Sequence, residues 1–180
     1  MFLPLKNKAV RPGIPLRSVK AIVMHSPAVS NQTAHAVYNY FEGLKADEHV
    51  GSYHDIIDLD GSVYNLIPYT EVAWHTGSTT PDPKSHLVYT DICRSLQLGE
   101  PNFTTLGVCM CEGDNHVISE LVEEVAVKHV VTLLKSYNLS IDNLVRHHDV
   151  VGWKDCPIYY CKSDNWDHFL HLVDVNWGSL

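Results

Sequence analysis

No apolar run in this chain approaches the ~20 residues needed to cross a bilayer, and Met1-Phe2-Leu3-Pro4-Leu5-Lys6 sets no extended apolar segment behind a basic start. A membrane-spanning helix and a secretory leader are therefore not expected. Basic residues are scarce: 13 Lys and Arg against 21 Asp and Glu leave a net charge of -8. Binding a polyanion takes clustered cations, so neither nucleic acid nor an anionic membrane surface is an expected partner. Cysteine does not pair off either, since Cys93, Cys109, Cys111, Cys156 and Cys161 are an odd number. Without a leader they read as reduced thiols and not as a disulfide framework. Internal repeats and low-complexity tracts are missing too.

What remains is the composition of a globular protein, 45% hydrophobic and 19% charged over 180 residues. That length supports one well-buried domain spanning residues 1–180. The apolar run Lys20-Ala21-Ile22-Val23-Met24-His25 reads as a buried strand with a polar side chain at its tip. Ser30 is positioned to cap a helix over Asn31 to Glu42. Tyr53 to Leu59 and Ser62 to Ile67 read as strands joined at Asp60-Gly61, a hairpin signal. Residues 76–102 are polar and Pro-rich, an expected insertion at a rim with a short helix near Leu87 to Leu96. Thr104 to Cys111 is a further apolar strand, with Cys109 and Cys111 on one face as small buried residues. Ser119 caps a long helix to Tyr137 that buries Leu121, Val122, Val125, Ala126, Val130, Leu133 and Leu134. A short strand or loop at Val145 to His148 and a closing helix capped by Asp164 complete the pattern. This order predicts an α/β fold, a mixed central β-sheet flanked by helices in one domain.

The segment Arg146-His147-His148-Asp149, closing at Lys154-Asp155-Cys156-Pro157, sets histidine and cysteine a short, fixed distance apart. Zinc takes imidazole nitrogen and thiolate sulfur together. His25 at its strand tip is the expected third ligand, with His147 or His148 and with Cys156. Three protein ligands leave a fourth position for water, the arrangement of a catalytic site and not of a scaffold. The net positive charge of such a site lowers the pKa of its water to roughly 7 and polarises a carbonyl. A site of this kind can cleave an amide. Cys161 is better read as packing, and the remaining histidines as ordinary surface or core residues.

Several segments in this order resemble the zinc-dependent N-acetylmuramoyl-L-alanine amidases of phage endolysins and bacterial autolysins, which are related to peptidoglycan recognition proteins. They are Ile22-Val23-Met24-His25, Ser52-Tyr53-His54 through Asp60-Gly61-Ser62-Val63-Tyr64, Ala73-Trp74-His75-Thr76-Gly77, Leu106-Gly107-Val108, and Val145-Arg146-His147-His148-Asp149 to Lys154-Asp155-Cys156-Pro157. The resemblance implies one catalytic Zn2+ held by His25, His147 and Cys156, with His148 as rival to His147. It implies Lys154 as a catalytic lysine whose charge suits an oxyanion, and Tyr53 as a hydroxyl that positions water or substrate. His75, His54 and Trp74 are the implied substrate-binding residues. Many relatives carry a glutamate general base where this chain has Cys109, and Glu112 is a weak substitute. Trp153 stands as an extra residue between the histidine and cysteine ligands.

The implied activity is hydrolysis of the amide between the lactyl group of N-acetylmuramic acid and L-alanine of the stem peptide, a bacteriolytic, antimicrobial reaction on bacterial peptidoglycan. A phage or prophage endolysin that stays cytoplasmic until lysis and acts as a monomer is the expectation, with no wall-binding domain in this chain. The alternatives are a bacterial autolysin, a non-catalytic peptidoglycan-binding module, or a structural zinc domain recruiting Cys161 as fourth ligand.

Overall fold

Two uninterrupted apolar strands, β1 (Ala21–His25) and β4 (Thr105–Met110), are buried along their whole length and lie side by side. Strands hidden on both faces have no reason to alternate apolar with polar, which is why these read as continuous runs. The computed structural model describes residues 2–4, 7–45, 49–162 and 164–178, so expectations touching Met1, Leu5, Lys6 and Leu180 lie outside the described residues. With β2 (Asp55–Ile57), β3 (Val63–Asn65) and β5 (Leu144–Arg146), they form a five-stranded sheet in the order β3-β2-β4-β1-β5. All neighbours pair parallel except β2 with β3, so the sheet is mixed as the sequence predicts.

Side chains alternate across this sheet, and that alternation separates core from site. Ile22, Met24, Leu106, Val108 and Met110 face α3 (Glu120–Ser136) and α5 (Asn165–Trp177) in the main core. The intervening positions, Thr105, Gly107 and Cys109 on β4 and His25 on β1, fall on the opposite face. There α1 (Ala34–Gly43) packs through Ala34, Val37 and Phe41, with Cys109 and Cys111 in the same cluster. A smaller cluster joins Ala21, Val23 and Val145 to α2 (Asp91–Ser95) and α4 (His147–Val151). No helix among the described residues is long and apolar enough to cross a membrane.

Several boundaries differ from the sequence expectation for local reasons. Helix α1 starts later, capped by Thr33, because Asn31 has a left-handed φ of 59° that a helix cannot include; Ser30 instead accepts the His116 N–H. The hairpin ladder stops early because the Leu66 N–H and the Asn65 amide both bond to the His54 carbonyl. Leu121 is 49% exposed, off the buried stripe of α3 and over the Gly61 turn. The strand expected to reach His148 ends at Arg146, and His147 opens α4. Asp164 precedes α5 without a side-chain capping bond.

Buried Asp55 joins sheet to helix: it accepts from the Tyr69 hydroxyl (2.7 Å), the Asn65 amide (2.8 Å) and His129 Nε2 on α3 (2.8 Å). Residues 76–102 do more than edge the fold. Thr90 donates its N–H to the Val150 carbonyl at 3.1 Å and its hydroxyl to that of Asp149, while Trp153 Nε1 reaches Ser78 Oγ at 3.4 Å. Gly152 ends α4 with a φ of +79°, and a Cβ there would lie 2.5 Å from Asp82, so only glycine suits this turn. The segment thus braces the helix that carries His147.

Candidate metal centre and groove

Arg146 and Asp149 set the geometry of the His-His segment. The Arg146 backbone N–H and Nε both donate to Asp149 Oδ2, at 2.9 and 3.0 Å, and Nη2 donates to Oδ1 at 2.7 Å. Nη1 reaches the Tyr160 carbonyl at 2.9 Å, so a planar guanidinium fork ties the first turn of α4 to the C-terminal segment. Consecutive residues on a helix point about 100° apart, so one histidine turns inward and the other outward. His147 is buried, whereas His148 is half-buried, with Nδ1 3.2 Å from the Lys154 carbonyl and 3.5 Å from Asp155.

His147 converges with His25 and Cys156, their ligand-type atoms lying within 4.8 Å of one another and all three side chains buried. His148 falls in a separate, more exposed group with Asp155 and Cys161. The Cys156 sulfur is 3.7 Å from His25 Nδ1 and 3.9 Å from the Ser26 carbonyl. The His25 and His147 rings meet edge to face with centroids 4.8 Å apart. Among the described residues, His147 Nδ1 is the only buried side-chain nitrogen or oxygen without a hydrogen-bond partner. A buried polar atom left unpaired costs about 1–3 kcal/mol, so its persistence beside two other donors fits a metal as the missing partner. One soft sulfur and two imidazoles are also a donor set suited to zinc.

The electrostatics agree with neutral donors awaiting a cation. Burial first, then the neighbouring His147, His75 and Lys154, holds His25 well below the usual histidine range. Burial and the Lys154 charge lower His147 to about 3. Burial pushes the Cys156 thiol up to about 12, against the Ser26 backbone contact and Lys154, which favour its thiolate.

A groove of about 490 Å³ takes His147, Tyr53, Trp74, Trp153 and Lys154 into its lining, together with apolar Val29 and Tyr40. Tyr53 packs 5.0 Å from the His25 ring and shares a hydrogen bond with the Cys109 sulfur; burial raises its pKa well above the usual tyrosine value, so it keeps its proton. Cys109 pairs with His25 in the β1–β4 register, which brings it to the site, and burial raises its thiol too far to act as a base at neutral pH. Glu112 is fully buried and already occupied, with Oε2 2.7 Å from His116 Nδ1 and Oε1 accepting from the Tyr159 N–H at 3.4 Å. No carboxylate lines the groove among the described residues.

The remaining expected site residues sit deeper. His54 is completely buried, its Nδ1 accepting from the Gly107 N–H (2.9 Å) and its Nε2 donating to the Glu71 carbonyl (3.0 Å). It does not reach the groove. His75 lies behind His25, 3.0 Å from its Nε2, and borders an adjoining cleft of about 550 Å³ shared with Trp74 and Asn102.

Three residues that support the site went unassigned in the sequence reading. Asn102 Oδ1 accepts from the backbone N–H groups of His75, Thr76 and Gly77 at 3.0, 2.7 and 3.1 Å, and from the Thr76 hydroxyl at 3.2 Å. Nothing in its local sequence marks this. Thr105 contacts the far side of the His75 ring. Gly107 does carry a signal, since a glycine inside an apolar strand indicates close approach of another group. A Cβ there would stand 2.7 Å from His75 Nδ1. We expect Gly107→Ala to displace that ring and cost about 1–3 kcal/mol, read as a lower urea midpoint at unchanged slope. Asn102→Ala leaves the buried donors of the 75–77 turn unpaired and should cost a similar 1–3 kcal/mol.

Comparison with known proteins places this arrangement. The profile described as N-acetylmuramoyl-L-alanine amidase matches residues 15–158. A probable N-acetylmuramoyl-L-alanine amidase of Bacillus licheniformis is 36% identical over 158 residues, covering 87% of this chain and 41% of that protein. The N-acetylmuramoyl-L-alanine amidase BlyA of Bacillus subtilis (strain 168) is 31% identical over 160 residues, again covering 87% of this chain and 41% of the relative. The chain therefore spans about two fifths of the length of these relatives. Among solved structures, a mutant endolysin from Bacillus subtilis superimposes with a TM-score of 0.70 at 23% identity, covering 96% of this chain and 95% of that one. The catalytic domain of XlyA does so with 0.69 at 24% identity and the same coverage, so the sheet and its helices are those of a known fold. With the family profile running from before β1 to just past Cys156, the chain belongs to the N-acetylmuramoyl-L-alanine amidase family.

Proposed function

We propose that this chain hydrolyses the amide bond between the lactyl group of N-acetylmuramic acid and L-alanine of the peptidoglycan stem peptide, with Zn2+ held by His25, His147 and Cys156. The observation that carries the reading is the convergence of these three buried donors, one of them an orphaned His147 Nδ1, beside an open groove. When bound, the ion supplies Lewis-acid polarisation of the scissile carbonyl and a water acidic enough to ionise near neutral pH, which suits a groove that offers no free carboxylate.

The chain's own side chains account for the rest. Lys154 lines the groove and its charge acts on both histidine ligands and on Cys156, a position from which it stabilises the developing oxyanion. Tyr53 retains its proton and therefore acts as a hydrogen-bond donor that orients the reacting group, not as the base. Val29, Tyr40, Trp74 and Trp153 give the groove apolar walls that exclude water from the amide and pack against a sugar ring or peptide methyl. We read residues 76–102 as part of this one catalytic unit, bracing α4. Peptidoglycan is the proposed partner, and lysis of the wall, as an endolysin or an autolysin, the proposed role of a monomeric enzyme.

Mass spectrometry of digested peptidoglycan tests the reaction. Stem peptides with a free L-alanine amino terminus, alongside intact glycan strands, are the expected products; cut glycan or internally cut peptides would overturn the assignment. Chelation should abolish release of these peptides and added Zn2+ restore it.

A further inference from the structure

His25 can serve a metal through Nδ1 only if its single proton sits on Nε2, and an isolated imidazole does not guarantee that. A chain of hydrogen bonds running away from the groove bears on this. The Thr105 hydroxyl lies 2.7 Å from the Pro101 carbonyl, which can only accept, so the hydroxyl proton is committed there. Thr105 Oγ1 is also 3.2 Å from His75 Nε2, and the Thr105 carbonyl is 3.4 Å from the same atom. With the hydroxyl proton spent and a carbonyl unable to donate, both are acceptors, so His75 Nε2 must carry the hydrogen. His75 is buried with only uncharged Thr105 on its far side, where an imidazolium is disfavoured, so its Nδ1 is a bare lone pair. That lone pair faces His25 Nε2 at 3.0 Å and requires the hydrogen to be on His25. His25, also buried, is then left with an unprotonated Nδ1 directed at the Cys156 sulfur 3.7 Å away.

We propose that His75 is a positioning residue: the relay Pro101–Thr105–His75 fixes His25 in its Nε2–H tautomer, so that Nδ1 is presented as a ready lone pair to the cation. The inference rests on the metal reading above for its purpose, though the tautomer itself is a property of the metal-free protein. The fold is shaped for the contact. Gly107 leaves a slot into which the His75 ring fits, since any Cβ would collide with the very nitrogen that accepts from His25. Asn102 pins the backbone of His75 and the two residues after it, fixing the height of the ring beneath β1. Both contacts hold the His75 ring against His25, on the side away from the groove of Tyr53 and Lys154.

Two measurements test the relay. In metal-free wild-type protein, long-range 1H–15N correlation spectra should show the His25 and His75 protons on Nε2; a proton on His25 Nδ1 overturns the proposal, and this needs no variant to fold. Zn2+ affinity, measured by competition with a chromophoric chelator, should then fall roughly 10–100-fold in His75→Leu, as when the outer partner of a ligating histidine is lost. His75→Asn, whose side-chain oxygen stands where Nδ1 was, should recover most of it. If wild type binds Zn2+ and His75→Leu binds equally well, the relay is wrong and the metal site stands. Wild type that takes up no Zn2+ overturns the metal reading, and the relay's purpose with it.

Discussion

Cys156→Ser and His147→Ala are each expected to remove wall-lysing activity and to lower Zn2+ affinity by more than the roughly 10–100-fold that loss of an outer partner costs, while His148→Ala and Cys161→Ser leave both nearly unchanged. The contrast follows from which atoms the structure brings together. His25, His147 and Cys156 share one buried cluster, and His148 and Cys161 share another on the outer side of the same loop. Serine in place of Cys156 keeps the volume and the neighbour at Ser26 but offers an oxygen that does not ionise near neutrality. Because burial pushes the Cys156 thiol up to about 12 without metal, uptake of the ion must expel that proton. Affinity should therefore rise with pH, and proton release per ion bound should be smaller by about one in Cys156→Ser. Thermal or urea unfolding of the metal-free variant guards against a trivial loss of fold. Activity surviving in Cys156→Ser, or loss of metal in His148→Ala, would sink the ligand assignment.

The His147 choice shows where the sequence sufficed and where it did not. Residue types and order placed His25 on a strand tip and a His-Cys pair in one loop, because apolar runs and short spacings are visible locally. Which of two adjacent histidines turns inward depends on where α4 begins, and that is set by the Arg146–Asp149 fork and its anchor on the Tyr160 carbonyl. The mixed sheet and the long helix α3 followed from periodicity. The late start of α1 did not, because it turns on the left-handed backbone at Asn31. The resemblance implies His54 and His75 as substrate-binding residues; strand alternation and the Gly107 slot bury both beneath His25, with His75 at the edge of the adjoining cleft. Sequence locality cannot report depth. The same limit hid Asn102, whose four donors come from a turn distant in sequence.

That buried layer of histidines carries the other large expected effect: metal-free protein should lose stability steeply as pH falls from about 6.5 toward 4. His25, His54, His75 and His147 are all buried, and burial lowers each below the ordinary histidine range, His54 to about 4 and His147 to about 3. Above pH ~6.5 these residues are neutral in folded and unfolded chains alike and contribute no pH dependence. Below it the unfolded chain takes up protons that the folded state refuses, so stability is lost until pH passes below the folded values. For His54 the difference is about 2.5 units, or about 3 kcal/mol at full extent. Against a total stability of about 5–15 kcal/mol for a typical domain, the His54 contribution alone is a large fraction, and His25, His75 and His147 act in the same direction. The urea midpoint should accordingly drop sharply between pH 6.5 and 4.5. In His54→Asn the slope of stability against pH should shrink by about one proton, because the amide oxygen can still accept from Gly107 while nothing is left to titrate at that position. A midpoint flat from pH 7 to 5 would mean that these imidazoles are already charged, or hydrated, in the native state. It would remove the layer of neutral buried imidazoles from the account of the fold's acid sensitivity.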